Sequence, residues 1–225
     1  MTPHAIAGSS ESAIRDEICE VGASLYTRGY TVGTAGNISA RMEDGWLITP
    51  TDACLGRLDP ARIAKVDFDG RWVSGDKPSK TIVLHRAIYD SNPEACGIVH
   101  THSTHLVALT LANAGNARSV WCEDDVMPPL TPYYVMKVGH VPLIRYRRPG
   151  DPAVAAEVAA LACQVRGVLL ERLGPVVWER SVSHASYVLE ELEETARLRF
   201  MSGELATSLT QTDLDALDDA FGIRW

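Results

Sequence analysis

The stretch Gly97-Ile98-Val99-His100-Thr101-His102-Ser103-Thr104-His105 decides the predicted fold and the candidate chemistry of this chain. The short apolar run that ends at Val99 is rich in β-branched residues, which predicts a buried strand rather than a helix. Because side chains alternate between the two faces of a strand, His100 and His102 are expected to project from the same face. Two neighbouring imidazoles form half of a site for a divalent transition metal.

The histidine pair also has a structural interpretation, in which each ring is simply hydrogen-bonded inside the fold. His105 lies beyond the strand, where a helix over residues 103–113 is expected to begin. There it is predicted to cap the helix, pack or contact substrate rather than bind metal. His85 falls inside another predicted helix and is interpreted as a buried, hydrogen-bonded residue.

Composition limits the function classes. The 225 residues fit one α/β domain over 1–225, with a loose tail at 1–10 and a C-terminal extension at 202–225. The net charge of −8 gives no support to nucleic-acid or anionic-membrane binding. Five scattered cysteines, no signal peptide and no apolar run long enough for a bilayer predict a soluble, cytoplasmic protein with reduced thiols.

Hydrophobic periodicity predicts alternating helices and strands along the chain. Helices are expected at residues 9–28, 81–91, 103–113, 151–163, 183–199 and 212–221. Strands are expected at residues 63–68, 71–73, 96–99, 141–146, 167–170 and 175–177, with further strands after residue 36 and at residues 46–49. The proline-rich residues 127–134 predict no regular element. The glutamates at positions 190, 191, 193 and 194 predict a solvated helix face.

Two loops and the N-terminus of one predicted helix contain residues that can bind an anion. Residues 33–39 and 46–51 bring glycines, Asn37, Thr49 and Thr51 together, and such loops can turn backbone N–H groups toward a phosphate or carboxylate. Ordinary hairpin turns are the alternative. Ser79 and Lys80 precede the predicted helix at 81–91, where its dipole favours an anion. A solvated surface lysine is the alternative for Lys80.

Four segments carry a family resemblance: Thr34-Ala35-Gly36-Asn37-Ile38-Ser39, Leu47-Ile48-Thr49-Pro50-Thr51, Lys77-Pro78-Ser79 and His100-Thr101-His102. In this order and spacing they resemble the class II aldolase/adducin family over roughly residues 11–201. Residues 56–60, 75–80, 128–136 and 148–152 are most similar to its 3-oxo-tetronate 4-phosphate decarboxylase branch, which acts on four-carbon sugar acids.

The resemblance implies a three-layer α/β/α sandwich around a mostly antiparallel mixed sheet, in a homotetramer with active sites between subunits. It implies that His100 and His102 bind a divalent metal, zinc first, with manganese or iron as alternatives. The residues that it places around an anionic substrate are Gly36, Asn37, Thr49, Thr51, Ser79 and Lys80. Its candidate catalytic residues are Lys80, Thr81 and Tyr134, or the neighbouring Tyr133, which is expected to reach an adjacent subunit.

Two positions depart from the family pattern. Thr81 stands where the family has its acid/base glutamate, and Leu173 stands where it has a third metal histidine. Threonine is no base near neutral pH, and leucine coordinates nothing. Substitute ligands are expected among His105, His140, Glu171 and residues 123–125.

The resulting hypothesis is a divergent carbon–carbon lyase, a decarboxylase or aldolase, acting through a metal-stabilised enediolate on a small oxo or hydroxy acid or a sugar phosphate. Losing the base weighs more against aldol cleavage than against decarboxylation of a 3-oxo acid. A non-catalytic binding or assembly protein on this fold is the first alternative. Fe(II) oxygen chemistry at a two-histidine, one-carboxylate site is the second.

Overall fold

The computed structural model describes residues 10–112, 125–148, 150–223 and 225. The helices are α1 Glu11–Thr27, α2 Ile82–Ser91, α3 Thr104–Ala112, α4 Pro132–Lys137, α5 Pro152–Leu161, α6 Val182–Ser202 and α7 Gln211–Phe221. The strands are β1 Asn37–Met42, β2 Gly45–Ile48, β3 Ala64–Val66, β4 Trp72–Ser74, β5 Gly97–His100, β6 Leu143–Ile144, β7 Gly167–Leu170 and β8 Gly174–Glu179.

The strands form one sheet in the order β4-β3-β2-β1-β5-β8-β7-β6. Every neighbouring pair is antiparallel except β6 and β7, which are parallel. The strand β5 lies near the middle, where His100 pairs with Asn37 on one side and with Val176 on the other. The mostly antiparallel mixed sheet is therefore confirmed, and its centre holds the histidine strand.

Helices cover both faces of the sheet. Val99 and Val177 belong to a buried cluster that includes residues of α1, α3 and α6. Ile98 and Val176 face the other way and belong to a second cluster with residues of α2 and α5. Since side chains alternate along β5, His100 lies on the same face as Ile98, toward α2 and α5. The predicted α/β/α sandwich is confirmed.

Two predictions between residues 127 and 146 are wrong in detail. The proline-rich stretch contains α4, because Pro132 stands in its first turn, where a helix needs no N–H donor. Thr131 caps this helix by accepting a hydrogen bond from the Tyr134 amide at 3.0 Å. The strand expected over residues 141–146 is only the two residues of β6.

The predicted solvated glutamate face on α6 is wrong at Glu193, which is only 7% exposed. One of its carboxylate oxygens accepts from the backbone amide and Nδ1 of His105, at 3.0 and 2.8 Å. The other accepts from the Leu106 amide at 3.0 Å. These amides belong to the first turn of α3, so Glu193 caps a helix distant in sequence and fixes α3 against α6.

We expect Glu193→Ala to lower the free energy of unfolding by about 1–3 kcal/mol, because it leaves the α3 amides without their acceptor. Urea unfolding followed by circular dichroism measures the change. The matched control is Glu194→Ala, whose exposed side chain makes only a surface ion pair with Arg197. This control is expected to change stability by less than about 0.5 kcal/mol. Equal losses in the two variants would contradict the capping role.

Within the described ranges, every helix is too short or too polar to cross a bilayer. The predicted loose tail falls almost wholly on residues 1–9, which lie outside those ranges, as do Glu123 and Asp124.

Candidate functional site

His100 ends β5 as a buried residue whose tautomer is set by the fold. Its Nδ1 lies 2.7 Å from the carbonyl oxygen of Pro175, which can only accept, so Nδ1 carries the proton. The Nε2 lone pair is therefore left to accept a hydrogen bond or bind a metal. Pro175 is the second residue of β8, so pairing of β5 with β8 orients this ring.

The two predicted metal histidines lie side by side. The ring centroids of His100 and His102 are 5.1 Å apart, and the ring planes are inclined at 58°. Burial and, to a smaller extent, the neighbouring His102 lower the pKa of His100 to about 4, although the hydrogen bond to Pro175 acts in the opposite direction. Burial also lowers the pKa of His102. Neutral imidazole is thus favoured near neutral pH, and neutral imidazole is the form that binds metals.

Thr81 and Leu173 line the same cavity as His100, a space of about 160 Å³ between α2, α5 and the β7–β8 turn. The fold therefore brings together the histidine and both departures from the family pattern. Thr81 Oγ1 lies 2.9 Å from Ser79 Oγ. Leu173 packs against the cluster between the sheet and α5.

A complete zinc site does not fit these residues. Two imidazoles are available, but zinc in proteins takes three or four protein ligands. In the part of the chain that the structure describes, no three His, Cys, Asp or Glu residues are grouped to hold a metal ion.

The predicted substitute ligands have other partners. His105 Nδ1 is bonded to Glu193, and His140 Nδ1 lies 2.5 Å from an oxygen of Asp125. Glu171 does line the cavity, but one of its oxygens accepts from the Tyr146 amide at 2.8 Å. It is the only substitute candidate among the described residues that lines the cavity with His100.

A chain of buried hydrogen bonds fixes the orientation of the Asn37 side chain. His85 belongs to this chain, so its prediction as a buried, hydrogen-bonded residue is confirmed. His85 Nε2 lies 2.6 Å from Asn37 Oδ1, and its Nδ1 lies 2.7 Å from Ser39 Oγ. Ser39 Oγ also meets the Tyr89 hydroxyl at 2.8 Å. Since Asn37 Oδ1 accepts, His85 donates from Nε2 and accepts at Nδ1. The Asn37 amide nitrogen is thereby left as a donor.

We expect this chain to make the stability of the protein depend on pH. Burial lowers the pKa of His85 to about 3, from an ordinary value of 6.5. Below pH 6.5 the unfolded chain therefore binds a proton that the native state excludes, so stability falls as the pH falls. From about pH 6.5 to about pH 5 the loss from this group is about 2 kcal/mol.

Urea midpoints of the native chain and of His85→Gln across this pH range measure the dependence. The variant is expected to be less stable near neutral pH, with a shallower decline toward acid. Some loss of stability toward acid remains in the variant, because burial also lowers the pKa of His100. Parallel curves for the two proteins would contradict the role of His85.

The predicted anion loops adjoin β5 as a connected layer. A side chain at Gly36 would come within 2.6 Å of the His100 carbonyl, so this glycine is required for close packing. The Thr49 hydroxyl accepts from the Ile38 amide at 3.1 Å, and the Thr49 carbonyl accepts from the Ser79 amide at 3.2 Å. The Thr51 amide donates to the Lys77 carbonyl oxygen at 2.9 Å. These contacts hold the three loops together, and their role toward an anion stays a prediction.

The predicted catalytic residues occupy different environments. Lys80 is exposed at the cavity, beside Thr81 at the start of α2. Tyr134 is fully buried in the larger core cluster, and its hydroxyl lacks a hydrogen-bond partner among the described residues. Its neighbour Tyr133 is 56% exposed and is the better placed of the two to contact another subunit. A catalytic tyrosine at either position stays a prediction.

Sequence reasoning missed the basic residues around the cavity: Arg145, Arg147, Arg148 and Arg172. Arg172 adopts a positive φ of 65° in the turn between β7 and β8. The signal that could have found them is the clustering of three arginines over residues 145–148 in an acidic chain.

Comparison with known proteins agrees with this architecture. The model of the Class II Aldolase and Adducin N-terminal domain matches residues 16–200. A 3-oxo-tetronate 4-phosphate decarboxylase of Cupriavidus necator is 68% identical over 222 residues, covering 96% of this chain and 100% of the relative. The L-fuculose phosphate aldolase of Escherichia coli K12 is 31% identical over 172 residues, covering 76% of this chain and 74% of the relative.

Among solved structures, the crystal structure of YgbL from Escherichia coli, described as an aldolase/epimerase/decarboxylase, superposes with a TM-score of 0.86 at 42% identity. The match covers 92% of this chain and 98% of that one. These similarities confirm the predicted resemblance and support a lyase of the class II aldolase type. The chain belongs to the class II aldolase and adducin family.

Proposed function

We propose that this chain is a decarboxylase that releases carbon dioxide from a 3-oxo acid carrying a terminal phosphate, with 3-oxo-tetronate 4-phosphate as the substrate. The observation that carries the proposal is the 68% identity, over 96% of this chain and the whole of the relative, to a protein with that activity in its name. The cavity beside His100 and the loop layer around Asn37 supply a site of suitable size and chemistry.

The residues at the site favour decarboxylation over aldol cleavage. Aldol chemistry needs a base that removes a proton from carbon or oxygen, and the Thr81 hydroxyl, paired with Ser79, is no such base. A 3-oxo acid loses carbon dioxide once the charge that develops on its carbonyl oxygen is stabilised. Decarboxylation therefore needs positive charge near the carbonyl oxygen and an acid that protonates the α-carbon afterwards.

The phosphate is proposed to lie against the loop layer. The Asn37 amide nitrogen is a donor because its oxygen is engaged by His85. Ser79 and Thr49 are buried at the same junction, and Ser79 lies just before α2, whose positive end favours an anion.

The predicted metal stays outside this mechanism. His100 Nε2 and His102 would contact a zinc, manganese or iron ion, which would supply Lewis acidity, but the described donor set is incomplete. The role of a metal ion in stabilising an enediolate therefore stays a prediction. The same donor set gives no support to Fe(II) oxygen chemistry.

We also propose a cytoplasmic homotetramer whose sites lie between subunits, with Tyr133 or Tyr134 facing the neighbouring site. The exposure of Tyr133 at the start of α4 supports this arrangement. Light scattering coupled to size-exclusion chromatography tests the tetramer, and a monomeric mass would contradict it.

Purified protein incubated with 3-oxo-tetronate 4-phosphate tests the activity. We expect carbon dioxide release, followed by a coupled assay, together with one equivalent of a three-carbon phosphorylated ketone. The matched control substrate is the same oxo acid without phosphate, which should turn over far more slowly. Absence of carbon dioxide in the native chain, with or without added zinc, manganese or iron, would contradict the proposal.

A non-catalytic binding protein is the second candidate, and the pair of departures at Thr81 and Leu173 favours it. In that case calorimetry would detect binding of the phosphorylated acid without carbon dioxide release. Detectable turnover removes this candidate.

A further inference from the structure

The cavity beside His100 is lined by both apolar and basic side chains. Its apolar lining includes Ile144, Val154, Leu170 and Leu173. Five basic residues line it as well, against the two acids Asp151 and Glu171. This local excess of positive charge occurs in a chain whose net charge is −8.

Each acid of the cavity accepts a hydrogen bond from a backbone amide. Asp151 caps α5 by accepting from the Ala153 amide at 3.0 Å, and Glu171 accepts from the Tyr146 amide. Lys80 and Arg172, in contrast, make no ion pair with any residue that the structure describes. Their charge is therefore available to an anion in the cavity.

Arg172 is held beside the histidine segment by the turn between β7 and β8. A side chain at Gly174 would meet the Thr101 carbonyl at 2.2 Å and the His102 Cα at 3.1 Å, so this turn lies directly on the segment that joins the histidines. The Arg172 amide donates to Thr110 Oγ1 at 2.9 Å, which ties the turn to α3. Arg172 holds its positive φ of 65° within this anchored turn.

Resting on the proposed decarboxylase function, we propose that Lys80 and Arg172 carry the positive charge that the reaction needs, in place of a divalent metal. The bond between the carboxylate carbon and the α-carbon breaks, and its electron pair forms a carbon–carbon double bond. The carbonyl π pair moves onto oxygen, giving an enolate and carbon dioxide. Protonation of the α-carbon by an acid or water then restores the ketone.

The two kinds of side chain that line the cavity suit the two groups whose charge changes. The enolate oxygen gains charge, so cations at Lys80 and Arg172 stabilise the transition state more than the ground state. The carboxylate loses charge as it leaves, so the apolar wall around Leu170 and Leu173 does not oppose its departure. Leucine at position 173 thus extends the apolar wall at the place where the family has a metal ligand.

Protein dialysed against EDTA and assayed for carbon dioxide release tests this inference. Native protein is expected to keep its activity, and Arg172→Gln and Lys80→Gln each to lower kcat about 100-fold. Arg172→Lys, which keeps the charge, should recover part of the loss. The control is Arg71→Gln, an exposed arginine paired with Asp69 on the β3–β4 hairpin, which should leave kcat unchanged.

Oxalate supplies a readout that does not depend on turnover, because it carries oxygens on two adjacent carbons, as does the enediolate that forms when carbon dioxide leaves. Calorimetry in EDTA should detect oxalate binding to the native chain, weakened about tenfold in Arg172→Gln. Activity that EDTA abolishes and zinc restores would overturn the inference and leave the decarboxylase assignment standing. Oxalate binding that is unchanged in Arg172→Gln would also overturn it. Absence of carbon dioxide under every metal condition would instead overturn the proposed function itself.

Discussion

The double variant Thr81→Glu/Leu173→His is expected to bind zinc several orders of magnitude more tightly than the native chain. His100 already presents Nε2 as a free ligand atom, with Nδ1 fixed on the Pro175 carbonyl, and His102 lies beside it. Both substituted positions line the cavity that His100 enters. Adding one carboxylate and one imidazole would complete a four-ligand set, which is the number that zinc prefers in proteins.

Zinc titration against a competing chelator at fixed pH measures this gain. Each single variant is expected to bind with intermediate affinity, and His100→Ala in the double-variant background should remove most of the gain. Carbon dioxide release by the double variant should also become sensitive to EDTA, which the native chain is not expected to show. A folded double variant with native zinc affinity would show that these positions do not face a common point.

The elements of this fold could be predicted from local patterns because helices and strands differ in period. The histidine strand and the helix after Thr81 followed from that periodicity, whereas the mostly antiparallel sheet followed from the family resemblance. Residues 127–134 could not be predicted in this way, since prolines both break helices and begin them. Here the hydrogen bond from the Tyr134 amide to the Thr131 hydroxyl shows that Pro132 begins a helix, and this bond forms only in the folded chain.

The site could be predicted in part for a related reason. His100 and His102 lie side by side because they are two residues apart in sequence, so their spacing was sufficient to predict their proximity. The contribution of Arg172 depends on the β7–β8 turn lying against Thr101, a contact between segments about seventy residues apart. Glu193 capping α3 from α6 is another contact of that kind. Such contacts leave no periodic signal in a single sequence.

The variant Gly174→Ala is expected to lose both stability and activity. Gly174 has a φ of 126°, in the region that favours glycine, and a Cβ atom there would lie 2.2 Å from the Thr101 carbonyl oxygen. Backbone strain alone costs about 1–3 kcal/mol. The clash adds to that cost, because the β7–β8 turn must move away from the histidine segment. Arg172 and Leu173 belong to this turn and move with it.

Gly139→Ala is the matched control, because Gly139 has a φ of 76° but nothing within 4 Å of its added Cβ. It also places a side chain at a positive φ but lacks the clash, so the contact with Thr101 is expected to make the loss at Gly174 the larger of the two. We expect a lower urea midpoint for Gly174→Ala than for Gly139→Ala, and a loss of carbon dioxide release in Gly174→Ala alone. If the two variants lost equal stability and kept equal activity, close contact between the turn and the histidine segment would not be what positions Arg172.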